Sequence, residues 1–143
     1  MNRPYFLEQA THYSFIYKTG LKDSNPRVRK AAVIGCAKVW RHSPDIVNNN
    51  GIVDILYTMV RDPEPSVMTF ALQTINVILV NEGGVVINSA MANYLLSRLE
   101  ECKDLEKAFI LEYLLKHKPK NSNARYLIRL HCVLKPQKRK KAC

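Results

Sequence analysis

Apolar residues in this chain recur at helical spacing. Val28, Ala32, Cys36 and Val39 stand four, four and three residues apart, which lays one stripe along a helix. Val67, Ala71, Ile75 and Ile78 repeat the stripe 39 residues later. The segments around these stripes align at the same offset: Asp23 with Asp62, Pro26 with Pro65, and Val28 with Val67. A weaker third copy begins at Leu99, with Glu101 where the aspartates stand and Lys107 where Arg29 stands. Each stripe is preceded by another. Ile52, Ile55, Leu56, Met59 and Val60 lead into the second copy, and Met91, Leu95 and Leu99 into the third. Helix, short turn, helix at a fixed period is the signature of an α-solenoid.

Punctuation residues set the boundaries. Pro26 suits a first helical position, where its missing N–H costs nothing, and Asn25 before it is a good N-cap. Pro65 has the same place after Glu64, a poorer cap, so Asp62 is expected to supply the acceptor. The pattern predicts helix pairs over 11–21 with 26–41, 51–61 with 65–80, and 89–102 with 104–117. A seventh helix is predicted near 122–134. Segments 41–51 and 81–88 read as loops, marked by Pro44, Gly51, Gly83 and Gly84. The predicted fold is all-α: a solenoid of about three helix pairs over 1–134, with a basic disordered tail over 135–143. The alanines of the stripes are small where two helices are expected to cross closely. Five of the twelve aromatics (Tyr5, Phe6, Tyr13, Phe15, Tyr17) crowd the first 17 residues, so that end is expected to abut more solenoid, a partner or another copy.

Charge changes the picture only at one end. The 143 residues carry a net charge of +10, but residues 1–112 hold twelve Lys/Arg and twelve Asp/Glu. The excess is the ten Lys/Arg of 113–143, which contain no acid. Lys135, Lys138, Arg139, Lys140 and Lys141 are the candidate contacts to an anionic surface. Three readings stand open: a solvated tail, an anionic membrane contact at about 1 kcal/mol per cation, or a nuclear-import or nucleic-acid patch. The tail has no interleaved aromatics for base stacking, which makes RNA-specific binding the weakest version.

The residues offer little reaction chemistry. Cys36, Cys102, Cys132 and Cys143 form no CxxC pair, and their spacings of 66, 30 and 11 fit no zinc site. His12, His42, His117 and His131 are scattered singly, and the adjacent glycines 83–84 lack the Lys-Ser/Thr of a phosphate loop. No enzyme activity, cofactor or metal is expected. The opening residues contain no apolar signal region, so a reducing compartment, cytosol or nucleus, is expected.

The segment DSNPRVRKAA resembles the HEAT-repeat pattern, in which aspartates and arginines of successive repeats form a ladder. The resemblance implies an inter-repeat ladder of Asp23, Arg29 and Asp62, interrupted where Met68 replaces the second arginine. Longer strings, GLKDSNPRVRKAAVIGCAKVW, NEGGVVINSAMANYLLSRLEEC and FILEYLLKHKPK, are similar to the N-terminal trunk of β-adaptins. Within them, EGGVVIN and GCAK most resemble the β subunit of the fourth heterotetrameric adaptor complex. The resemblance covers roughly 15–120, and the chain reads as a short or truncated representative. It implies a non-enzymatic coat scaffold in vesicle-mediated intracellular protein transport, cytoplasmic and peripheral on Golgi and trans-Golgi membranes, with other adaptor subunits as partners. The alternative reading is a small basic protein associated with nucleic acid or nuclear transport.

Overall fold

The computed structural model describes residues 3–116, without the side chains of most positions before Tyr13. The predicted helix over 122–134 and the basic segment 135–143 lie outside the described residues. Seven α-helices follow in chain order: α1 (Arg3–Leu21), α2 (Pro26–His42), α3 (Pro44–Asn49), α4 (Ile52–Met59), α5 (Pro65–Ile78), α6 (Ser89–Arg98) and α7 (Asp104–Lys116). Short 3₁₀ turns occupy Val80–Glu82 and Leu99–Glu101, and there is no strand among the described residues. The fold class is the expected one, an all-α arrangement of HEAT-like helix pairs. The chain divides into two compact units, one ending at Val85 and one starting at Val86.

In the first unit, α2 packs against α1, α3 and α5, and α4 packs against α5. Side chains from all but the first of these helices are fully buried: Val33 and Cys36 on α2, Val47 on α3, Ile52 and Leu56 on α4, and Met68, Leu72 and Ile75 on α5. Each such side chain stabilises the unit by about 1.5–3 kcal/mol relative to exposure. Close approach of α1 and α2 is possible because small residues meet there. A methyl added at Gly20 would lie 3.0 Å from the Ala32 Cβ, and one added at Gly35 would overlap the Tyr17 ring.

The starts of α2 and α5 are built alike. Asn25 Oδ1 accepts from Arg27 N–H at 2.9 Å, and Pro26 stands at the first position of α2. One residue pair further back, Asp23 Oδ1 accepts from Asn25 N–H at 2.8 Å. Thirty-nine residues on, Asp62 Oδ1 accepts from Glu64 N–H at 2.9 Å ahead of Pro65, while the Glu64 side chain makes no capping bond. Asp62 thus closes the turn that Glu64 cannot.

The sequence 82–88 follows from its backbone. Gly83 and Gly84 have φ of +97° and +84°, a region closed to most side chains, and Gly84 N–H returns to the Leu79 carbonyl at 2.8 Å. This reversal delivers Val85 into the core, where Asn76 Oδ1 accepts its N–H.

In the second unit, Asn88 caps α6 by accepting from Met91 N–H at 2.8 Å. Glu106 accepts from Lys103 N–H at 2.9 Å at the start of α7, one half of a capping box. Leu95, Leu99, Ile110 and Leu114 are fully buried.

The structure corrects three expectations. α1 starts at Arg3, eight residues earlier than predicted. The loop over 41–51 contains α3, which opens on Pro44 and Asp45, both favourable in a first turn. Val28 is exposed, because the buried stripe of α2 runs through Ala32, Val33 and Cys36 and does not extend back to the first turn.

Candidate functional site

The candidate surface of the first unit lies where α2 and α5 meet, and an ion pair joins α2 to the turn before α5. Arg29, in the first turns of α2, points its guanidinium at Asp62, in the turn before α5. Nε donates to Asp62 Oδ2 at 2.8 Å and Nη2 donates to Oδ1 at 2.9 Å, a two-bond fork. The Arg29 Nη1 also donates to the carbonyls of Asp23 and Ser24, at 2.9 and 3.0 Å. The pair is shielded from water, with side-chain exposures of 14% and 7%. The bond to Asp62 raises the Arg29 pKa above its ordinary value against the opposing effect of burial, so the cation is permanent. One guanidinium therefore joins both turns that precede α2 and α5. Asp23 contributes its backbone carbonyl here; its carboxylate closes its own turn.

Met68 aligns with Arg29 in the second copy and is fully buried. Glu101 aligns with the aspartates and pairs within its own unit. Arg98 Nε donates to Glu101 at 2.9 Å and Arg98 Nη1 donates to the Tyr94 hydroxyl at 2.7 Å.

Further along the two helices, α2 and α5 border an open groove of about 160 Å³ lined by Ile34, Ala37, Phe70, Gln73, Thr74 and Val77. All of these except buried Thr74 are half-buried, so the groove has an apolar floor that reaches solvent. Thr74 ties it together through a long bond from its hydroxyl to the Val33 carbonyl at 3.4 Å. Lys30 stands over the Phe70 ring, its Nζ 4.6 Å from the centroid. Sequence reasoning missed this groove because its lining is divided between the copies, two residues from α2 and four from α5. The signal was present as Phe70 and Val77, apolar residues of α5 that lie off the 67–71–75–78 stripe.

The buried thiol nearby is chemically quiet. Burial pushes Cys36 up to about 12, so it remains a thiol at neutral pH and is a poor nucleophile. Burial also raises Cys102, whose Sγ donates to the Arg98 carbonyl at 3.4 Å. Among the described residues, no group of three or more His, Cys, Asp or Glu could hold a metal ion, and no helix is long and apolar enough to cross a membrane. At the N-terminal end, Tyr13 and Phe15 are exposed, while Tyr17 is half-buried beside Gly35. The candidate contacts Lys135, Lys138, Arg139, Lys140 and Lys141 lie outside the described residues.

A family model described as Cnd1, non-SMC mitotic condensation complex subunit 1, matches residues 8–140. The chain is 37% identical over 102 residues to AP-4 complex subunit beta-1 of Mus musculus, covering 71% of this chain and 14% of that protein. It is 36% identical over 104 residues to AP-1 complex subunit beta of Dictyostelium discoideum, covering 71% and 11%. AP-2 complex subunit beta of Schizosaccharomyces pombe is 29% identical over 101 residues, covering 69% and 15%. The matched stretch is thus a small part of each relative.

Proposed function

The chain belongs to the Cnd1 family of helical-repeat proteins and is a relative of the β-adaptins, and on that premise we propose that it is a non-enzymatic adaptor scaffold acting in vesicle-mediated protein transport. The observation that carries this reading is the 37% identity over 102 residues with a β subunit of an adaptor complex, repeated at lower identity across two further adaptor types. The description of the family model refers to a condensation subunit, but the named relatives are adaptor subunits, and the adaptor reading follows them.

The physical mechanism is display of surface. Paired helices offer grooves and exposed faces rather than a deep polar cleft, and such surfaces recognise other proteins. In this reading Arg29, Asp62 and the Asp23 carbonyl form the rung that fixes one helix pair on the next, so that α2 and α5 present a single face. The partners are the other subunits of an adaptor complex, and the location is the cytoplasmic side of Golgi and trans-Golgi membranes. The cations at 135–141 favour an anionic membrane nearby.

Affinity purification of the tagged full chain from cells tests the reading. Adaptor large, medium or small subunits are expected with it, and they are expected to be lost with an Ala32→Glu variant that cannot form the α1–α2 crossing. Recovery of folded chain with no adaptor subunit would overturn the proposal.

A further inference from the structure

The α2–α5 groove has a charge pattern that the scaffold reading does not use. Arg27, Lys30, Lys38 and Arg41 all stand on α2, where Ile34 and Ala37 line the groove. Positions 27, 30, 34, 37 and 41 follow one another at spacings of three and four, so they share one face of the helix. Arg27, Lys38 and Arg41 are exposed, and Lys30 leans over Phe70 on the far side of the groove. Neither α2 nor α5 contains an Asp or Glu. Glu64 sits just before α5, where it accepts from the Ser66 hydroxyl at 3.4 Å, and the Asp62 carboxylate is taken up by Arg29. The groove therefore has an apolar floor, a cationic rim along one side and an uncharged helix along the other.

We propose that this groove is a docking site for an acidic amphipathic helix of a partner protein, with its apolar stripe on Ile34, Ala37, Phe70 and Val77 and its carboxylates along Arg27, Lys30 and Arg41. Charge complementarity selects this occupant. A second copy docking through the same face would bring like charges together, and so would the Lys/Arg-rich segment 135–141 of the chain itself. A groove between two helices takes a third helix through apolar anchors at spacings of three and four. The inference goes beyond the scaffold reading, because it depends on the groove's own residues and not on which complex the chain joins.

The test uses the full chain and a fluorescein-labelled synthetic helix carrying leucines every three or four residues and glutamates on both flanks. Two control peptides accompany it: one with the same composition but the leucines dispersed around the helix, and one with every glutamate replaced by lysine. Anisotropy is expected to show the acidic amphipathic peptide binding at least about tenfold tighter than either control, and weakening as salt is raised. An Arg27→Glu/Arg41→Glu variant, altered only at exposed positions, is expected to lose about tenfold in affinity with an unchanged melting curve. Val77→Ser, which adds no charge, is expected to weaken the acidic amphipathic peptide and leave the weak binding of the dispersed peptide unchanged. Equal binding of the dispersed peptide would reduce the effect to bare charge and overturn the proposal. So would absence of binding, or displacement of the peptide by phosphatidylserine vesicles, which would assign the rim to a lipid surface. None of these outcomes bears on co-purification of adaptor subunits, so the two readings fail separately.

Discussion

Two Arg–carboxylate pairs, one in each unit, look alike on paper and have different physical weight. Arg29 and Asp62 are 33 residues apart, joined by two parallel bonds and almost hidden from water. Arg98 and Glu101 are one helical turn apart, and the glutamate is 56% exposed. The first pair links two helix pairs; the second decorates a helix end. An ion pair in water is offset by screening and by the entropy of two long side chains, whereas a shielded pair is costly to break because one charge stays behind. The contrast teaches that a charge pattern repeating along a solenoid is informative only where the partner belongs to another repeat.

The largest effect is expected from breaking the surface on which the first pair depends. Ala32→Glu places a carboxylate on the α1–α2 crossing, where a methyl added at Gly20 would already lie 3.0 Å from the Ala32 Cβ. We expect a loss of about 5 kcal/mol and no cooperative melt by circular dichroism. A melt like that of the parent would mean that the crossing is elsewhere.

Raising the pH is the next test of the first unit. The folded pKa of Cys36, about 12, is raised above its ordinary value. The native state therefore holds that proton more tightly than the unfolded chain does. The resulting stability is fully present below about pH 8.5 and is lost as pH climbs towards the folded value. Denaturant midpoints are expected to fall above pH 9, less steeply in Cys36→Ala. An identical slope in both proteins would remove the thiol from the account. Burial also raises Tyr17, with smaller contributions from Cys36 and Tyr13, and it adds to the slope that remains.

Asp62→Ala follows in size. It leaves the guanidinium of Arg29 with only the two backbone carbonyls and removes the acceptor for Glu64 N–H, at an expected cost of about 3 kcal/mol in urea unfolding. Glu101→Ala is the smallest change, expected to cost at most about 0.5 kcal/mol. If the two substitutions cost the same, the distinction drawn between the pairs is wrong.

Much of the first unit was legible in the sequence. Asn25–Pro26 and Asp62 with Pro65 marked helix starts because their chemistry is local. The 39-residue offset exposed the repeat because one helix pair cannot bury its own face. What escaped depended on other parts of the chain. Val28 fits a stripe by spacing, but whether its turn is covered is decided by its neighbours. The six residues of α3 were hidden among asparagines, although Pro44 and Asp45 gave a usable start signal. The groove was illegible because neither helix defines it alone, and the basic rim went unnoticed beside the stronger charge excess of residues 113–143. Aligning Asp23, Arg29 and Asp62 named three residues that meet in the structure, yet not that Asp23 meets Arg29 through its backbone carbonyl.

The separation of Arg29 from Asp62 also sets a schedule for synthesis. A ribosome adding about 5–20 residues per second takes seconds to make the 33 residues between them. During that interval the nascent first helix pair carries a cation with no counterpart and an apolar flank with nothing to lie on. The interval opens when Arg29 leaves the tunnel and closes when Asp62 does.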